Sequence, residues 1–507
     1  MIGSRRIPNL SHDVVVLIPG IMGSALADQD GAQRWGLSDP RWYARALACR
    51  DGLAPLRLTE EERADLGTVR LRPVGLLRTP AFLPGLGGVE PYTKLADRLR
   101  RAVVHPDLVL EFAYDWRLPV LHNARLLAEA AHRHLEAWRA SDGHRKARRE
   151  QPDEREARLV LVAHSMGGLL ARALTLVAGD LIDEIRDLIT LGTPLRGSPL
   201  AAVLLATGKG TPMPIRSAPL RELAATLPGV HDLLPSYRCV DEGTDVRLLT
   251  AADVARLGGD TGMAEDAARL HAMLDARLAP ELDYTAFGGF DQVAARQDRL
   301  ARITRTVVGV AQPTVQSLGL RDGVVEQYTH SFRVHSDGEL VRDEHGRLIR
   351  VDLQGDGTVP RPSAIRPGAT ALSQQHAALA KMPEVFDLVC DVVTGADREG
   401  GRLGESDIGV TAPQVVLPGR PWTVTLSGVA DVAAVTCLVE DTAGPWRDHL
   451  RPGRHDDELR VEAEVPSPGL YRVVVDGGGT SAVSALVLAA DPEGVEPGYG
   501  TPTASDR

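Results

Sequence analysis

The sequence predicts an α/β protein, a parallel sheet covered by helices on both faces, followed by a small all-β domain. Three observations carry this. Unbroken apolar runs such as Val14–Ile18 and Leu159–Ala163 read as strands buried on both faces. They alternate with amphipathic helical stretches, the pattern of a parallel sheet with helices on either side. After about residue 395 the texture changes to short alternating runs between Gly/Pro turns, which indicates a β-sandwich.

Each element follows in chain order. Val14–Ile18 ends at Pro19-Gly20 and is the first strand. Residues 91–102 read as a helix, and Leu108–Phe112 as a strand running into AYDWRLP. Residues 120–139 form a long amphipathic helix, and 140–157 read as a charged, exposed connection. Leu159–Ala163 is a strand, and Met166–Ala178 is a helix with Leu169, Leu170, Ala173, Leu174 and Val177 on one face. Leu188–Leu191 is a strand that leads into GTPLRGSP. Two stretches interrupt the pattern and read as insertions over the strand ends, residues 24–88 and 197–300. The sheet resumes at Arg305–Val310, and a hairpin over 333–354 precedes GDGTVP. Residues 1–400 therefore read as one unit. GADREGGRLGESD reads as a linker, residues 405–490 as a separable sandwich, and 491–507 as a disordered tail.

Composition excludes some function classes. A net charge of −11 over 507 residues, with no long acidic block, argues against a nucleic-acid footprint. Only four lysines occur, so most positive charge is arginine, as a GC-rich coding bias would produce. Cys49, Cys239, Cys390 and Cys437 are far apart and show no metal spacing. They read as isolated thiols, and neither a metal nor a cofactor is expected. The N-terminal apolar run is five residues long and no window is long enough to span a bilayer. A cytoplasmic chain is expected.

The chemistry centres on LVLVAHSMGGLLARAL, residues 159–174. A serine hydroxyl needs a base, an exposed position and donors for the developing oxyanion. A strand, a tight turn with the serine at its apex and a helix supply the exposure. Ala163-His164-Ser165-Met166-Gly167 departs from the usual GxSxG only by alanine for the first glycine. Ser165 is the expected nucleophile. The oxyanion donors are then the backbone N–H of Met166 and one from the earlier Pro-Gly loop, assigned to Ile21. The order serine, acid, histidine selects Asp356 in GDGTVP over Asp352, which lies in a strand-like stretch. It selects His376 because His330, His335 and His345 precede Asp356, and His449 and His455 fall in the sandwich. His164 is expected to be structural.

VVVLIPGIMGS, PYTKL, AYDWRLP, VAHSMGG, LGTPLRGSP and GDGTVP occur in that order. This set resembles the lecithin:cholesterol acyltransferase-like lipases, whose relatives include lysosomal phospholipase A2 and phospholipid:diacylglycerol acyltransferases. The likeness covers residues 13 to about 390. It implies an α/β-hydrolase fold with cap or lid insertions, and a triad of Ser165, Asp356 and His376. It also implies a first insertion that docks on lipid, for which Trp35, Trp42, Tyr43 and Phe82 are the candidate rings. The implied partners are a lipid or acyl-ester substrate and a membrane surface touched peripherally. The sandwich after residue 405 is not part of that family's core pattern.

The leading reading is a serine esterase acting on acyl esters of lipids, of phospholipase A or lysophospholipase type, with transfer to an alcohol as a second outcome of the same acyl-enzyme. A thioesterase or small-molecule esterase would use the same triad. A lipid- or partner-binding protein with marginal catalysis is the reading from a different class.

Overall fold

The computed structural model describes residues 10–36, 52–78, 92–150, 154–209, 217–321, 324–335, 338–396 and 408–490, except 414, 430, 431, 433, 434, 443, 456, 457 and 478–481. Six parallel strands form the central sheet: β1 (Val14–Ile18), β2 (Val109–Glu111), β3 (Leu159–His164), β4 (Ile185–Leu191), β5 (Thr304–Val310) and β6 (Thr370–Ser373). Their spatial order is β6-β5-β4-β3-β1-β2. The apolar runs of β1 and β3 are buried throughout, as strands covered on both faces must be.

The order carries the chain from β1 outward to β2, then back across β1 to β3. Right-handed crossovers place helix Thr93–Ala102 on one face and the helices that follow β2, β3 and β4 on the other. The packing agrees. Helix Thr93–Ala102 lies against Pro383–Thr394, while Val120–Arg139 and Phe290–Arg302 both lie against Met166–Val177. The reversal makes a switch point between β1 and β3. The crevice beyond their carboxyl ends is where open α/β sheets bind ligands.

Residues 142–149 differ from the expected loop. They form a helix whose first turn is capped by Ser141 Oγ accepting from His144 N–H at 3.0 Å. Only His144 and Ala147 of this helix are buried, so its four basic residues mask a narrow apolar face. The second insertion is shorter than expected, because Phe290–Arg302 buries Val293, Ala294 and Leu300 in the main helical layer. A further antiparallel pair, Ser317–Arg321 with Val324–Tyr328, was not read from the sequence. The hairpin over 333–354 exists in reduced form, as a two-residue ladder between Ser331–Phe332 and Arg350–Val351 with bridges inside it.

The first insertion opens with a three-stranded antiparallel sheet of Ser24–Ala27, Gln33–Trp35 and Arg72–Leu76. Trp35 corrects an expectation. It is 1% exposed, its Nε1–H donates to the Met22 carbonyl at 2.9 Å, and it meets Trp116 edge-on at 5.0 Å. The short strand turns this ring inward, so Trp35 is a core residue and not a lipid anchor. Trp42, Tyr43 and Phe82 lie outside the described residues.

The AYDWR segment ties this insertion to the sheet. Arg117, fully buried, pairs with Asp115 through two bonds of 2.9 and 2.6 Å and donates to Leu56 O at 3.2 Å. Losing one partner of such a buried pair typically costs about 3–5 kcal/mol. Tyr114 O–H donates to Pro19 O at 3.0 Å, and Trp116 Nε1–H to Ser24 O at 3.2 Å. The motif therefore supports the loop that leaves β1.

The C-terminal strands form two antiparallel-dominated sheets, of four and five strands. Between them lies a separate apolar core that includes Val424, Val461, Val473 and Val487. Among the described residues, Cys239, Cys390 and Cys437 are free thiols, and burial pushes Cys239 up to about 12. No helix among them is long and apolar enough to cross a membrane.

Candidate active site

Ser165 sits between β3 and helix Met166–Val177, with φ 52° and ψ −127°. A non-glycine residue there costs on the order of 1–3 kcal/mol and persists only when its surroundings enforce it. Here they do. Ser165 N–H donates to Leu191 O of the neighbouring strand at 2.8 Å. Gly167 lets the helix come close, since a Cβ there would stand 2.5 Å from Pro19 O. The turn places Ser165 at the carboxyl end of the sheet, beside the loop after β1.

Asp356 lies in the long connection between β5 and β6, and His376 follows β6 by three residues. The Asp356 carboxylate is buried, and its Oδ1 accepts from the N–H groups of Thr358 at 2.9 Å and Val359 at 2.7 Å. Its Oδ2 lies 2.7 Å from His376 Nδ1, and His376 N–H donates to Asp356 O at 2.8 Å. A carboxylate only accepts, so Nδ1 carries the proton. Nε2 is then a lone pair, 2.8 Å from Ser165 Oγ. Ser165, His376 and Asp356 form one continuous chain of hydrogen bonds. Asp352 is elsewhere, accepting from Gln316 Nε2 at 2.6 Å and Gln354 N–H at 2.8 Å.

The loop after β1 is a turn closed by Gly23 N–H donating to Gly20 O at 3.0 Å, with Met22 at φ 62°. A Cβ on Gly20 would stand 2.8 Å from the Ser165 Cβ, so the loop lies directly against the serine. Gly20 N–H is committed to Tyr92 Oη at 2.8 Å. Ile21 is the next amide of the turn, and Met166 begins the helix, so both expected donor groups border Ser165.

His164 is more than filler. Its Nε2 lies 3.2 Å from His376 O and its Nδ1 2.8 Å from Tyr92 Oη. A carbonyl can only accept, so Nε2 holds the proton and Nδ1 accepts from Tyr92. Tyr92 oxygen is then left to accept from Gly20. The direction of the relay is determined throughout, and it links the loop after β1 to the backbone of His376. PYTKL carried the signal for Tyr92, but nothing in the sequence showed which way its hydroxyl points.

Burial, with His376 alongside, drives the His164 pKa down from 6.5 to about 3. The unfolded chain therefore binds this proton more readily than the folded one. The neutral ring stabilises the fold fully above pH 6.5, and that stabilisation drains away as pH falls toward 3. For one such histidine the slope is about 1.4 kcal/mol per pH unit. Urea unfolding of His164→Gln and the wild-type protein between pH 7 and 4 is expected to show the stability gap closing as pH falls. A gap independent of pH would mean that His164 is not held neutral.

Among the described residues, no cluster of three or more His, Cys, Asp or Glu side chains could hold a metal ion. The strand order, the turn at Ser165 and the flanking helices are those of an α/β-hydrolase fold. Residues 119–204, which include β3 and Ser165, match the family model described as a PGAP1-like alpha/beta domain. No curated protein matches the chain. Among solved structures, the Tle4-Tli4 complex is 16% identical, with 77% of this chain and 100% of that chain covered at a TM-score of 0.39. The Bacillus licheniformis lipase BlEst2 in its propeptide form is 12% identical, with 95% and 93% covered at a TM-score of 0.30.

Proposed function

We propose that this chain is a serine esterase that cleaves acyl esters of lipids through an acyl-enzyme on Ser165. The observation that carries the reading is the Ser165–His376–Asp356 chain, with bonds of 2.8 and 2.7 Å. His376 Nε2 takes the hydroxyl proton as Ser165 Oγ attacks the ester carbonyl. The oxyanion accepts hydrogen bonds from the N–H groups of Met166 and Ile21. His376 then protonates the departing alcohol, and the C–O bond breaks. Water, or a second alcohol, attacks the acyl-enzyme with His376 again as base. Asp356 holds the ring in the tautomer this requires and stabilises its cation.

The lipid part of the reading rests on the ordered motifs IPGIMGS, YDWR, AHSMGG, GTPLRGSP and GDGTVP. Incubation with mixed phospholipids and neutral glycerides, followed by mass spectrometry, is expected to show released fatty acids. Acyl groups appearing on an added alcohol would extend the reading to transfer. Cleavage of short soluble esters or thioesters with intact lipids would keep the mechanism and overturn the substrate.

A further inference from the structure

The sandwich touches the hydrolase unit at the two loops that carry the acid and the base. Gln312, in the loop after β5, is 1% exposed. Its backbone exchanges two hydrogen bonds with Gly355, the residue before Asp356, at 2.9 and 3.1 Å. Its side chain faces the other way. Nε2–H donates to Ile408 O at 2.9 Å, and Oε1 accepts from Val410 N–H at 3.2 Å. An amide that bonds the carbonyl of one residue and the N–H two residues on takes the place of a neighbouring strand for Gly409–Thr411.

The base loop is held in the same way. Gln374, 2% exposed, donates from Nε2 to Ala482 O at 3.0 Å. Its Oε1 accepts from Gln375 N–H at 2.9 Å, one residue before His376. Ser373 Oγ–H adds a bond to Ile408 O at 3.3 Å. Ile408 and Ala482 directly precede Gly409–Thr411 and Val483–Ala489, which lie in different sheets of the sandwich. Each sheet thus contributes the start of one strand. The acid and base loops also meet each other. A Cβ on Gly309 would stand 2.4 Å from the Asp356 Cβ and 2.5 Å from Gln374 O.

We infer that the C-terminal β-sandwich is a positioning clamp for catalysis, holding the Asp356 and His376 loops in register through Gln312 and Gln374. The inference rests on the reading of Ser165, Asp356 and His376 as the reacting set. Both glutamine amides are buried, so a partner lost while the interface stays closed would leave a polar group unsatisfied, and the bonds hold only when the sandwich sits in register. A misplacement of about 1 Å at a reacting group can cost roughly a hundredfold in rate. A domain that fixes these loops therefore acts on turnover and not only on stability. Gln312 and Gln374 are positioning residues, since neither touches the serine.

Three substitutions in the full-length chain test the clamp. Gln374→Met keeps the volume and removes the amide. Gly409→Ala puts a methyl group 2.4 Å from Ser427 Oγ, which can rotate away, and 2.5 Å from the Ala311 backbone carbonyl, which cannot, so it wedges the sandwich off the loop after β5. Ser373→Ala removes one bond and almost no volume, and serves if a stronger variant does not fold. The readouts are kcat and KM on a soluble short-chain ester, the second-order rate of fluorophosphonate labelling, and thermal unfolding. Gln374→Met and Gly409→Ala are expected to lower kcat and the labelling rate at least tenfold at a temperature where they remain folded, with KM within threefold. Ser373→Ala is expected to move the same quantities in the same direction by less. A lower unfolding temperature with kcat within twofold in every folded variant would overturn the clamp and leave a purely structural interface. A wild-type protein that neither cleaves the ester nor takes the label would overturn the reading of Ser165, and the clamp with it.

Discussion

Ser165→Ala is expected to abolish fluorophosphonate labelling and to lower ester turnover by about a million-fold, the scale seen when a triad nucleophile is removed from another serine hydrolase. The alanine has no oxygen to attack the carbonyl, and no other hydroxyl is joined to His376 Nε2 by a hydrogen bond among the described residues. The residue left behind should still fold. The side chain of Ser165 contributes one hydrogen bond, while the turn is enforced by the backbone bond to Leu191 and by the glycine at 167. Circular dichroism and thermal unfolding close to wild type would separate lost chemistry from lost structure. Turnover within tenfold of wild type, about 1.4 kcal/mol in the barrier, would place the nucleophile elsewhere.

Asp356→Asn is the second large effect, expected at about four decades in turnover by analogy with the same change in another triad. The physical reason is the tautomer. The asparagine Oδ1 can keep the bonds from Thr358 and Val359, so the loop should hold its shape. Its Nδ2 would then face His376 Nδ1 as a donor, making Nδ1 the acceptor and leaving the proton on Nε2. A protonated Nε2 cannot take the proton of Ser165. Asp352→Asn is the control, since Asp352 accepts from Gln316 Nε2 and Gln354 N–H, while Nδ1 of His376 bonds Asp356. It is expected to change turnover by less than tenfold. The opposite ranking would transfer the role of the acid to Asp352.

These two experiments address different levels of the same chain. Ser165→Ala asks where the bond to the acyl group forms. Asp356→Asn asks whether the imidazole is held in one protonation state. A large loss in the first with little in the second would keep the nucleophile and remove the acid from the mechanism.

The parallel sheet was legible from local pattern alone, because strands buried on both faces leave continuous apolar runs. The helix Val120–Arg139 was readable from a different local pattern, a long amphipathic period that nothing interrupts. The small helix over 142–149 was not, since its buried face holds only His144 and Ala147 among basic residues. Motif and chain order singled out Ser165, Asp356 and His376, and the fold brings their side chains within hydrogen-bond reach. Their distances could come only from the tertiary structure, because the three arrive on separate loops up to 211 positions apart in sequence.

Trp35 shows the limit from the other side. An aromatic ring in an insertion has the same composition whether it faces lipid or the core, and only the register of Gln33–Trp35 against Ser24–Ala27 turned it inward. The hydrogen bonds of the relay through Tyr92 and His164, and the grip of Gln312 and Gln374 on the sandwich, were likewise silent in sequence. Amide and hydroxyl side chains carry no periodic signature, and their bonding is decided by which backbone groups the packed fold leaves beside them. The order of the elements and the candidates for the reacting residues were local properties of this chain. Which polar atoms face one another was settled only when the sheet, its loops and the sandwich came together.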